Sequence, residues 1–243
     1  LERSYKLGFG ASQLPTQFEL RLSSYPNVTA RDETQHTFPQ LEHLDQLYPV
    51  VDDVSWIEKL IPLGVVTIQL RLKEQPRELI VSQIQQAVML QKKHNLQLFI
   101  NDYWDLAIEY NAYGIHLGQS DLLGADLARI EASGLHLGVS THSWWEISRA
   151  LSVSPSYIAI GPIFETQTKE MPFESQGVDQ LQKWVNQLQS RYPIVAIGGI
   201  NEHTIDSVLE TGVNTIALVS AITHADDYQK ATKQLYAKIS AYE

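Results

Sequence analysis

One stretch of the sequence shows how the chain folds: residues 194–219 read IVAIGGINEHTIDSVLETGVNTIALV. The short apolar, β-branched run at each end is typical of a strand that is buried on both faces, as strands of parallel sheets are. The segment between the two runs has the residue pattern of an amphipathic helix. The stretch therefore predicts a strand–helix–strand unit with two parallel strands in one sheet.

Units of this kind recur from about residue 47 onward. Eight parallel strands with intervening helices favour a (β/α)8 TIM barrel over a doubly wound open sheet, which usually has fewer strands and a glycine-rich first turn. No such turn follows the first strand, where Asp52 and Asp53 instead indicate the acidic start of a helix. The predicted strands are residues 47–51, 65–70, 97–100, 114–117, 136–139, 157–160, 194–197 and 215–219, and the clearest predicted helices are residues 77–94, 143–151, 178–190, 202–211 and 227–241.

The first 45 residues do not share this rhythm and are rich in Ser, Thr, Gln and Pro. We expect residues 1–45 to form an irregular N-terminal extension that is partly disordered or covers the barrel floor, with a short helix over residues 40–47. A processed end or a linker from an upstream domain is an alternative. Residues 46–243 are expected to form a single (β/α)8 catalytic domain.

Composition excludes several classes of function. The 243 residues carry a net charge of −10, which disfavours a nucleic-acid or anionic-membrane surface. No run approaches the roughly 20 apolar residues of a membrane span, and no secretory signal opens the chain, so a soluble, cytoplasmic protein is expected. Cysteine is absent, so thiolate metal sites and cysteine nucleophiles are excluded. The partners expected are small phosphorylated molecules, and homo-oligomerisation is left open.

Polar residues after the second predicted strand point to one substrate group. Strand alternation sends Gln69, Arg71 and Lys73 toward the same side, and sends Leu70 and Leu72 toward the helices. Two cations and an amide at the carboxyl end of a barrel strand, where active sites of this fold form, suit a diphosphate. The alternative is a solvated strand end with scattered charges.

Carboxylates follow the third and fourth predicted strands. Asp102 and Asp121, with no cluster of His or Cys, suit a hard, partly hydrated ion, meaning Mg2+ rather than zinc. Asp102 could instead only cap the helix that follows it. His116 lies within an apolar strand and is interpreted as a packed, hydrogen-bonded barrel residue rather than a metal ligand or a general base.

The remaining loops add hydroxyls and a second phosphate site. Ser140 lacks the strained turn of a hydrolase nucleophile and is interpreted as a hydrogen-bond donor. Residues 161–177 form a long connection that is a candidate lid. Gly198 and Gly199, with the turn after the eighth strand, resemble the monophosphate sites of many barrels, although the glycines could simply ease a tight turn.

In this order, the motifs resemble those of the thiamine phosphate synthase family over roughly residues 46–240. That family is a (β/α)8 barrel that joins a hydroxymethylpyrimidine diphosphate to a thiazole phosphate, in some members carboxylated, and releases pyrophosphate. The motifs that carry the resemblance are residues 69–73, 100–102, 114–121, 137–142, 161–164 with 166–169, 196–200 and 219–222.

The resemblance implies a role for each matching residue. The metal, Mg2+, would be held by Asp102 and Asp121. Catalytic roles would fall to Arg71, Lys73, Ser140 and Lys169. The pyrimidine diphosphate would be bound by the segment containing Gln69, Leu70, Arg71, Leu72 and Lys73 together with Asn101, Ser140 and Lys169. The thiazole phosphate would be bound by Thr166, Gln167, Thr168, Gly199, Val219 and Ser220.

The chemistry of the family fits this inventory, because departure of pyrophosphate needs electrostatic stabilisation and positioning rather than a protein nucleophile. One alternative is a thiazole tautomerase-like or regulatory relative, which shares the barrel but lacks the full diphosphate and metal set. A non-catalytic binding barrel is a second alternative. A sugar-phosphate isomerase would explain the last two loops but not the basic motif with two aspartates.

Overall fold

Eight parallel strands form a closed barrel in the computed structural model, which describes residues 36–41, 43–73, 75–165 and 175–242. Each strand pairs with its neighbours in sequence, and β1 closes the barrel by pairing with β8. The (β/α)8 class is thereby confirmed. The strands are β1 (Leu47–Val51), β2 (Thr67–Leu70), β3 (Gln97–Asn101), β4 (Gly114–Leu117), β5 (His136–Thr141), β6 (Tyr157–Ile160), β7 (Ile194–Ile197) and β8 (Thr215–Leu218).

Helices follow the strands and form the outer layer. The first begins at the acidic segment expected to start it, where the Asp53 side chain accepts a hydrogen bond of 2.8 Å from the backbone N–H of Ser55. The helices are α1 (Val54–Leu60), α2 (Arg77–His94), α3 (Trp104–Tyr110), α4 (Gln119–Gly124), α5 (Leu127–Ala132), α6 (Trp144–Ser152), α7 (Gly177–Leu188), α8 (Ile205–Leu209), α9 (Ser220–Thr223) and α10 (Tyr228–Ser240), and a 3-10 turn spans Ile61–Leu63.

The apolar residues divide into two cores because barrel strands are buried on both faces. The larger core lies between the strands and the helices, and includes Leu70 and Leu72. The smaller one lies within the barrel and is built around Tyr48, Phe99 and Tyr157. These large rings crowd the barrel interior, so some neighbouring strand positions have no room for a side chain.

Gly138 shows this constraint directly. A Cβ atom added to it would lie 2.1 Å from a ring carbon of Tyr157. Glycine in β5 therefore makes space for the tyrosine ring of β6 inside the barrel.

The described part of the N-terminal segment runs beneath the barrel, but the helix expected over residues 40–47 is wrong. Its backbone hydrogen-bonds to the starts of the strands instead of to itself. The carbonyl of His43 accepts from the Gln97 side chain, and the N–H of Asp45 donates to Thr67 Oγ1. Leu41 and Leu44 are buried against the inner core. Residues 1–35 lie outside the described residues.

None of the helices described is both long enough and apolar enough to span a membrane.

Candidate active site

A cavity of about 440 Å³ opens at the carboxyl ends of the strands, where the sequence predicted the active site. Residues at or just after all eight strands line it, from Val50 of β1 to Leu218 of β8. Ten of the predicted site residues contribute to its wall: Gln69, Arg71, Lys73, Asn101, Asp102, Asp121, Ser140, Gly199, Val219 and Ser220.

The second strand supplies one side of the cavity in the way that alternation predicts. Gln69, Arg71 and Lys73 line the cavity. Leu70 and Leu72 are each only 1% exposed and pack in the outer core. The side chains of these two leucines therefore do not contribute to the diphosphate site as predicted. They hold the strand in place while their neighbours face the cavity.

Asn101 presents a buried donor to this wall. The residue is 5% exposed, and its side-chain Nδ2 has no hydrogen-bond partner among the described residues. A buried amide nitrogen without an acceptor is destabilising, since the desolvation penalty of the group is not offset. A ligand oxygen at this point of the cavity would satisfy it.

Asp102 has a strained backbone and a cationic neighbour. Its φ is 65°, in the left-handed region that few residues other than glycine, asparagine and aspartate adopt. Its carboxylate does not cap α3, because the N-cap residue of this helix is Tyr103 and no side-chain hydrogen bond caps it. The helix-cap alternative for Asp102 is therefore wrong. Instead Lys73 donates to Oδ2 of Asp102. The strained turn thus aims the carboxylate at the cavity and at the basic motif.

Asp102 and Asp121 are the two residues expected to hold Mg2+. No group of three or more His, Asp or Glu side chains converges as a metal site within the described ranges. Asp102 and Asp121 line the same cavity, and Mg2+ typically takes one or two protein carboxylates and completes its shell with water and substrate phosphate. The residues present therefore fit this ion and do not form a self-sufficient metal cage.

A row of polar side chains crosses the barrel interior beneath the cavity. His116 Nε2 lies 2.8 Å from Ser140 Oγ, and His116 Nδ1 lies 2.7 Å from the hydroxyl of Tyr157. That hydroxyl lies 2.9 Å from the hydroxyl of Tyr48, to which Gln69 Nε2 donates at 3.4 Å. The interpretation of His116 as a packed, hydrogen-bonded barrel residue is confirmed.

Burial sets the protonation states along this row. It lowers the pKa of His116 to about 3, and the positive charge of Arg71 adds to the effect. It also raises the pKa of Tyr48 and of Tyr157 above the ordinary tyrosine value. The ring of His116 is therefore neutral and both phenols keep their protons at neutral pH.

The fifth loop contributes a pair that the sequence did not single out. His142 Nδ1 lies 2.8 Å from Glu146 Oε2, and the same oxygen accepts from the backbone N–H of His142. Both residues line the cavity. Their spacing of four residues across the start of α6 was the available signal, but such pairs are common on helix surfaces.

The seventh and eighth loops form the opposite wall. Gly198 and Gly199 have φ values of 100° and 67°, and a Cβ on Gly199 would lie 2.5 Å from the carbonyl oxygen of Glu165. The glycines therefore permit a tight turn, as the simpler interpretation held, and they also lie at the cavity wall. Val219 precedes the first turn of α9, which begins at Ser220. The first N–H groups of a helix lack intrahelical acceptors and favour an anion.

The other predicted ligands in the sixth loop, Thr166, Gln167, Thr168 and Lys169, lie outside the described residues.

Comparison with known proteins identifies the family. The family model for thiamine monophosphate synthase matches residues 46–222. A thiamine-phosphate synthase from Pectobacterium atrosepticum is 53% identical over 197 residues, which is 81% of this chain and 92% of the relative. The thiamine-phosphate synthase of Escherichia coli K12 is 52% identical over 201 residues, covering 83% of this chain and 95% of the relative.

The chain belongs to the thiamine monophosphate synthase family. The relatives above are named thiamine-phosphate synthases, which are transferases, and the protein is an enzyme of that class.

Solved structures agree with the family assignment. A thiamine phosphate pyrophosphorylase from Pyrococcus furiosus superposes with a TM-score of 0.72 at 29% identity, covering 81% of this chain and 96% of its own. A KDPGal structure superposes with a TM-score of 0.63 at 14% identity, covering 84% of this chain and 97% of that one, and it shows the fold alone. The barrel of this chain is thus the fold of a solved structure whose name agrees with the thiamine monophosphate synthase family.

Proposed function

We propose that this enzyme condenses 4-amino-2-methyl-5-(diphosphooxymethyl)pyrimidine with 4-methyl-5-(2-phosphoethyl)thiazole to give thiamine phosphate and pyrophosphate. With the carboxylated form of the thiazole, CO2 is released as well. The observation that carries the proposal is a single cavity with a basic, carboxylate-bearing wall on one side and a glycine-rich wall on the other. Two phosphorylated substrates need two anion sites that together hold the reacting carbon and nitrogen atoms near each other, and one cavity with two such walls suits that need.

The first wall suits the diphosphate. Arg71 and Lys73 supply positive charge, and the unpartnered Nδ2 of Asn101 supplies a buried donor. Ser140 Oγ adds a hydroxyl at the end of the interior row. Lys169 is proposed to join this set from the sixth loop, and Gln69 is proposed to contact the pyrimidine.

The second wall suits the thiazole phosphate. Gly199 brings backbone without a side chain to the cavity, and Ser220 offers a hydroxyl and the first N–H of α9. Bare backbone donors at this end of a barrel are a recurring monophosphate site. Thr166, Gln167 and Thr168 are proposed to complete it from the sixth loop, and Val219 to shape its floor.

The reaction needs little covalent chemistry from the protein. The bond between the methylene carbon and the diphosphate oxygen breaks, and its electron pair leaves with pyrophosphate. The pyrimidine amino group donates electron density to the methylene cation, and the lone pair of the thiazole nitrogen then forms the new carbon–nitrogen bond. No protein nucleophile or strong base is consumed, which agrees with the absence of cysteine.

The residues act by stabilising and positioning charge. Arg71, Lys73 and Ser140 oppose the charge that develops on the leaving group, and preorganised donors of this kind are commonly worth about 10²–10³ each in rate. Asp102 and Asp121 would hold the Mg2+, which supplies further neutralisation of the diphosphate when bound. Anchoring the thiazole phosphate on the far wall holds its nitrogen near the methylene carbon.

A cytoplasmic location, with small phosphorylated molecules as partners, is part of the same proposal. The competing function is that of a thiazole tautomerase-like or regulatory relative on the same barrel. The diphosphate and metal side chains in the described ranges, Arg71, Lys73, Asp102 and Asp121, favour the synthase.

The test is pyrophosphate release by the purified chain, given the two substrates together and singly, with and without Mg2+. The proposal expects release only when both substrates and the metal are present. No release by a folded chain that still binds the thiazole phosphate would overturn it in favour of the tautomerase-like or regulatory function.

A further inference from the structure

The interior row of polar side chains connects the two parts of the proposed pyrimidine diphosphate site. We call it the hydrogen-bond chain, and it consists of Gln69, Tyr48, Tyr157, His116 and Ser140, in that order. Its ends, Gln69 and Ser140, line the cavity, while Tyr48 and Tyr157 lie in the inner core. The chain therefore links two cavity residues by a path beneath the ligand.

Each inner member of the chain has one hydrogen to give. A phenol donates once, and a neutral imidazole has one N–H and one accepting nitrogen. Both ring nitrogens of His116 contact hydroxyls, and the residue is only 6% exposed. If one member reverses its donation alone, a link carries two hydrogens or none, or a buried hydroxyl such as that of Tyr48 accepts twice and keeps a hydrogen without an acceptor. The donations must consequently all run in one direction.

Two directions are available, and they differ at the ends. In the first, Gln69 donates to Tyr48 and the donations continue to His116, whose Nε2–H donates to Ser140. The hydroxyl hydrogen of Ser140 is then free to donate into the cavity. The carbonyl oxygen of Gln69 is also left to face the cavity as an acceptor.

In the second direction, Ser140 donates its only hydrogen to His116. Its oxygen can then offer the cavity only lone pairs. At the other end Tyr48 donates to the carbonyl oxygen of Gln69, so that the amide N–H groups of Gln69 face the cavity. The two directions thus present opposite hydrogen-bonding groups at both ends.

We propose that the hydrogen-bond chain couples diphosphate binding to pyrimidine recognition: an anion at Ser140 selects the first direction and so turns the carbonyl oxygen of Gln69 toward the amino group of the pyrimidine. A phosphoryl oxygen only accepts hydrogen bonds, so it favours the direction in which Ser140 donates. Tyr48, Tyr157 and His116 are positioning residues in this mechanism. The inference rests on the proposed function, since it takes the diphosphate and the aminopyrimidine as the ligands at the two ends.

The coupling is expected to be measurable because the chain is shielded from water. Tyr157 is 0% exposed, Tyr48 is 1% exposed and Gln69 is 4% exposed. No solvent molecule can therefore readily replace a broken link, and a reversed link leaves a buried group unsatisfied. Coupling between ligand sites typically changes affinity by about 5–150-fold, and by reciprocity each ligand must strengthen the other equally.

The test uses isothermal titration of two probes that represent the separated halves of the substrate. These are pyrophosphate, titrated with Mg2+ present, and 4-amino-2,5-dimethylpyrimidine. In the wild-type chain each probe is expected to raise the affinity for the other about tenfold. In Tyr157→Phe, which keeps the ring in the inner core but removes the link, the factor is expected to fall to about one while pyrophosphate still binds.

A matched control is Tyr113→Phe. Tyr113 packs against the same inner core, and its hydroxyl accepts from Gln97, which is not a member of the chain. This variant is expected to keep the wild-type coupling factor. Tyr48→Phe breaks the chain one link nearer Gln69, so it should lose the coupling as well, and it provides the test if Tyr157→Phe does not fold.

The outcomes separate this inference from the proposed function. An unchanged coupling factor in the folded chain-breaking variants, or no coupling in a wild-type preparation that releases pyrophosphate from both substrates, would overturn the inference and leave the function standing. A wild-type preparation that binds neither probe and shows no turnover would overturn the function itself. Loss of coupling in both tyrosine variants, with coupling retained in Tyr113→Phe, would support the inference.

Discussion

His116 Nε2 lies 2.8 Å from Ser140 Oγ and so joins a buried barrel residue to the wall of the cavity. The contact explains why a histidine is tolerated inside the barrel, since both of its nitrogens have hydroxyl partners. The buried ring of His116 also resists a second proton, so the folded state is expected to become less stable in acid.

The first prediction concerns stability against pH. Burial lowers the pKa of His116 to about 3 in the folded state, against an ordinary value near 6.5 in the unfolded chain. Below pH 6.5 the unfolded state therefore binds more protons, and stability falls as the pH decreases toward 3. Between pH 7 and pH 5 this single group should lower the free energy of unfolding by about 2 kcal/mol.

Urea unfolding at both pH values, for wild type and His116→Gln, isolates this contribution. The variant should be less stable at pH 7 but lose about 2 kcal/mol less than wild type between pH 7 and pH 5. His203→Gln is the control, because the side chain of His203 is 83% exposed. If the free energy of unfolding fell equally with pH in wild type and in His116→Gln, burial of His116 would not be the cause of the loss of stability in acid.

A second prediction concerns the two aspartates. Asp102→Asn removes one carboxylate charge while keeping a residue that tolerates the positive φ of 65°. With Asp121→Asn as its counterpart, each variant is expected to lower kcat at limiting Mg2+ by about 100-fold or more and to keep the wild-type melting temperature within a few degrees. Turnover assays across a Mg2+ titration measure the effect, and wild-type rates in both variants would refute the metal assignment.

A third prediction concerns the far wall of the cavity. Ser220→Ala removes one hydroxyl proposed to contact the thiazole phosphate, and charge-assisted hydrogen bonds are worth about 1.5–3 kcal/mol. We expect KM for the thiazole phosphate to rise about tenfold or more, with KM for the pyrimidine diphosphate changed less than about twofold. Ser152→Ala, at the end of α6, serves as a control. Equal increases in both KM values would contradict the assignment.

A fourth prediction separates two causes of lost stability when a glycine is replaced, the left-handed backbone and a steric clash of the added Cβ. Gly199→Ala places a Cβ 2.5 Å from the carbonyl oxygen of Glu165, whereas Gly212 has a similar φ of 74° and no atom within 4 Å of its Cβ position. Both alanine variants should lose about 1 kcal/mol to the left-handed backbone. Gly199→Ala should lose a further 1–3 kcal/mol, roughly, to overpacking, and should also bind thiazole phosphate more weakly.

Urea unfolding of the two glycine variants side by side provides the measurement. Equal losses of stability would mean that the loop around Glu165 moves aside and that the close approach is not a constraint.

Much of the fold could be predicted because parallel strands are apolar on both faces and helices are not. The predicted bounds of β1, β4, β6 and β7 coincide with those observed. The segment over residues 40–47 could not be predicted in the same way. Its leucines have helical spacing, but strand starts that lie far along the chain take its backbone hydrogen bonds.

The candidate site was likewise predictable from the sequence only in part. Gln69, Arg71, Asp102 and Asp121 could be predicted because each lies at or beside a strand end, so position alone brings it to the rim. The hydrogen-bond chain could not be predicted. Tyr48 and Tyr157 are 109 residues apart and look like ordinary apolar strand positions, and only closure of the barrel brings their hydroxyls together.

The proposed reaction is tested by identifying the products that the purified chain makes from the two substrates with Mg2+, using chromatography and mass spectrometry. We expect thiamine phosphate and pyrophosphate in equal amounts, and far less of both from Asp102→Asn. Pyrophosphate without thiamine phosphate, or rearranged thiazole phosphate with the pyrimidine diphosphate untouched, would contradict it.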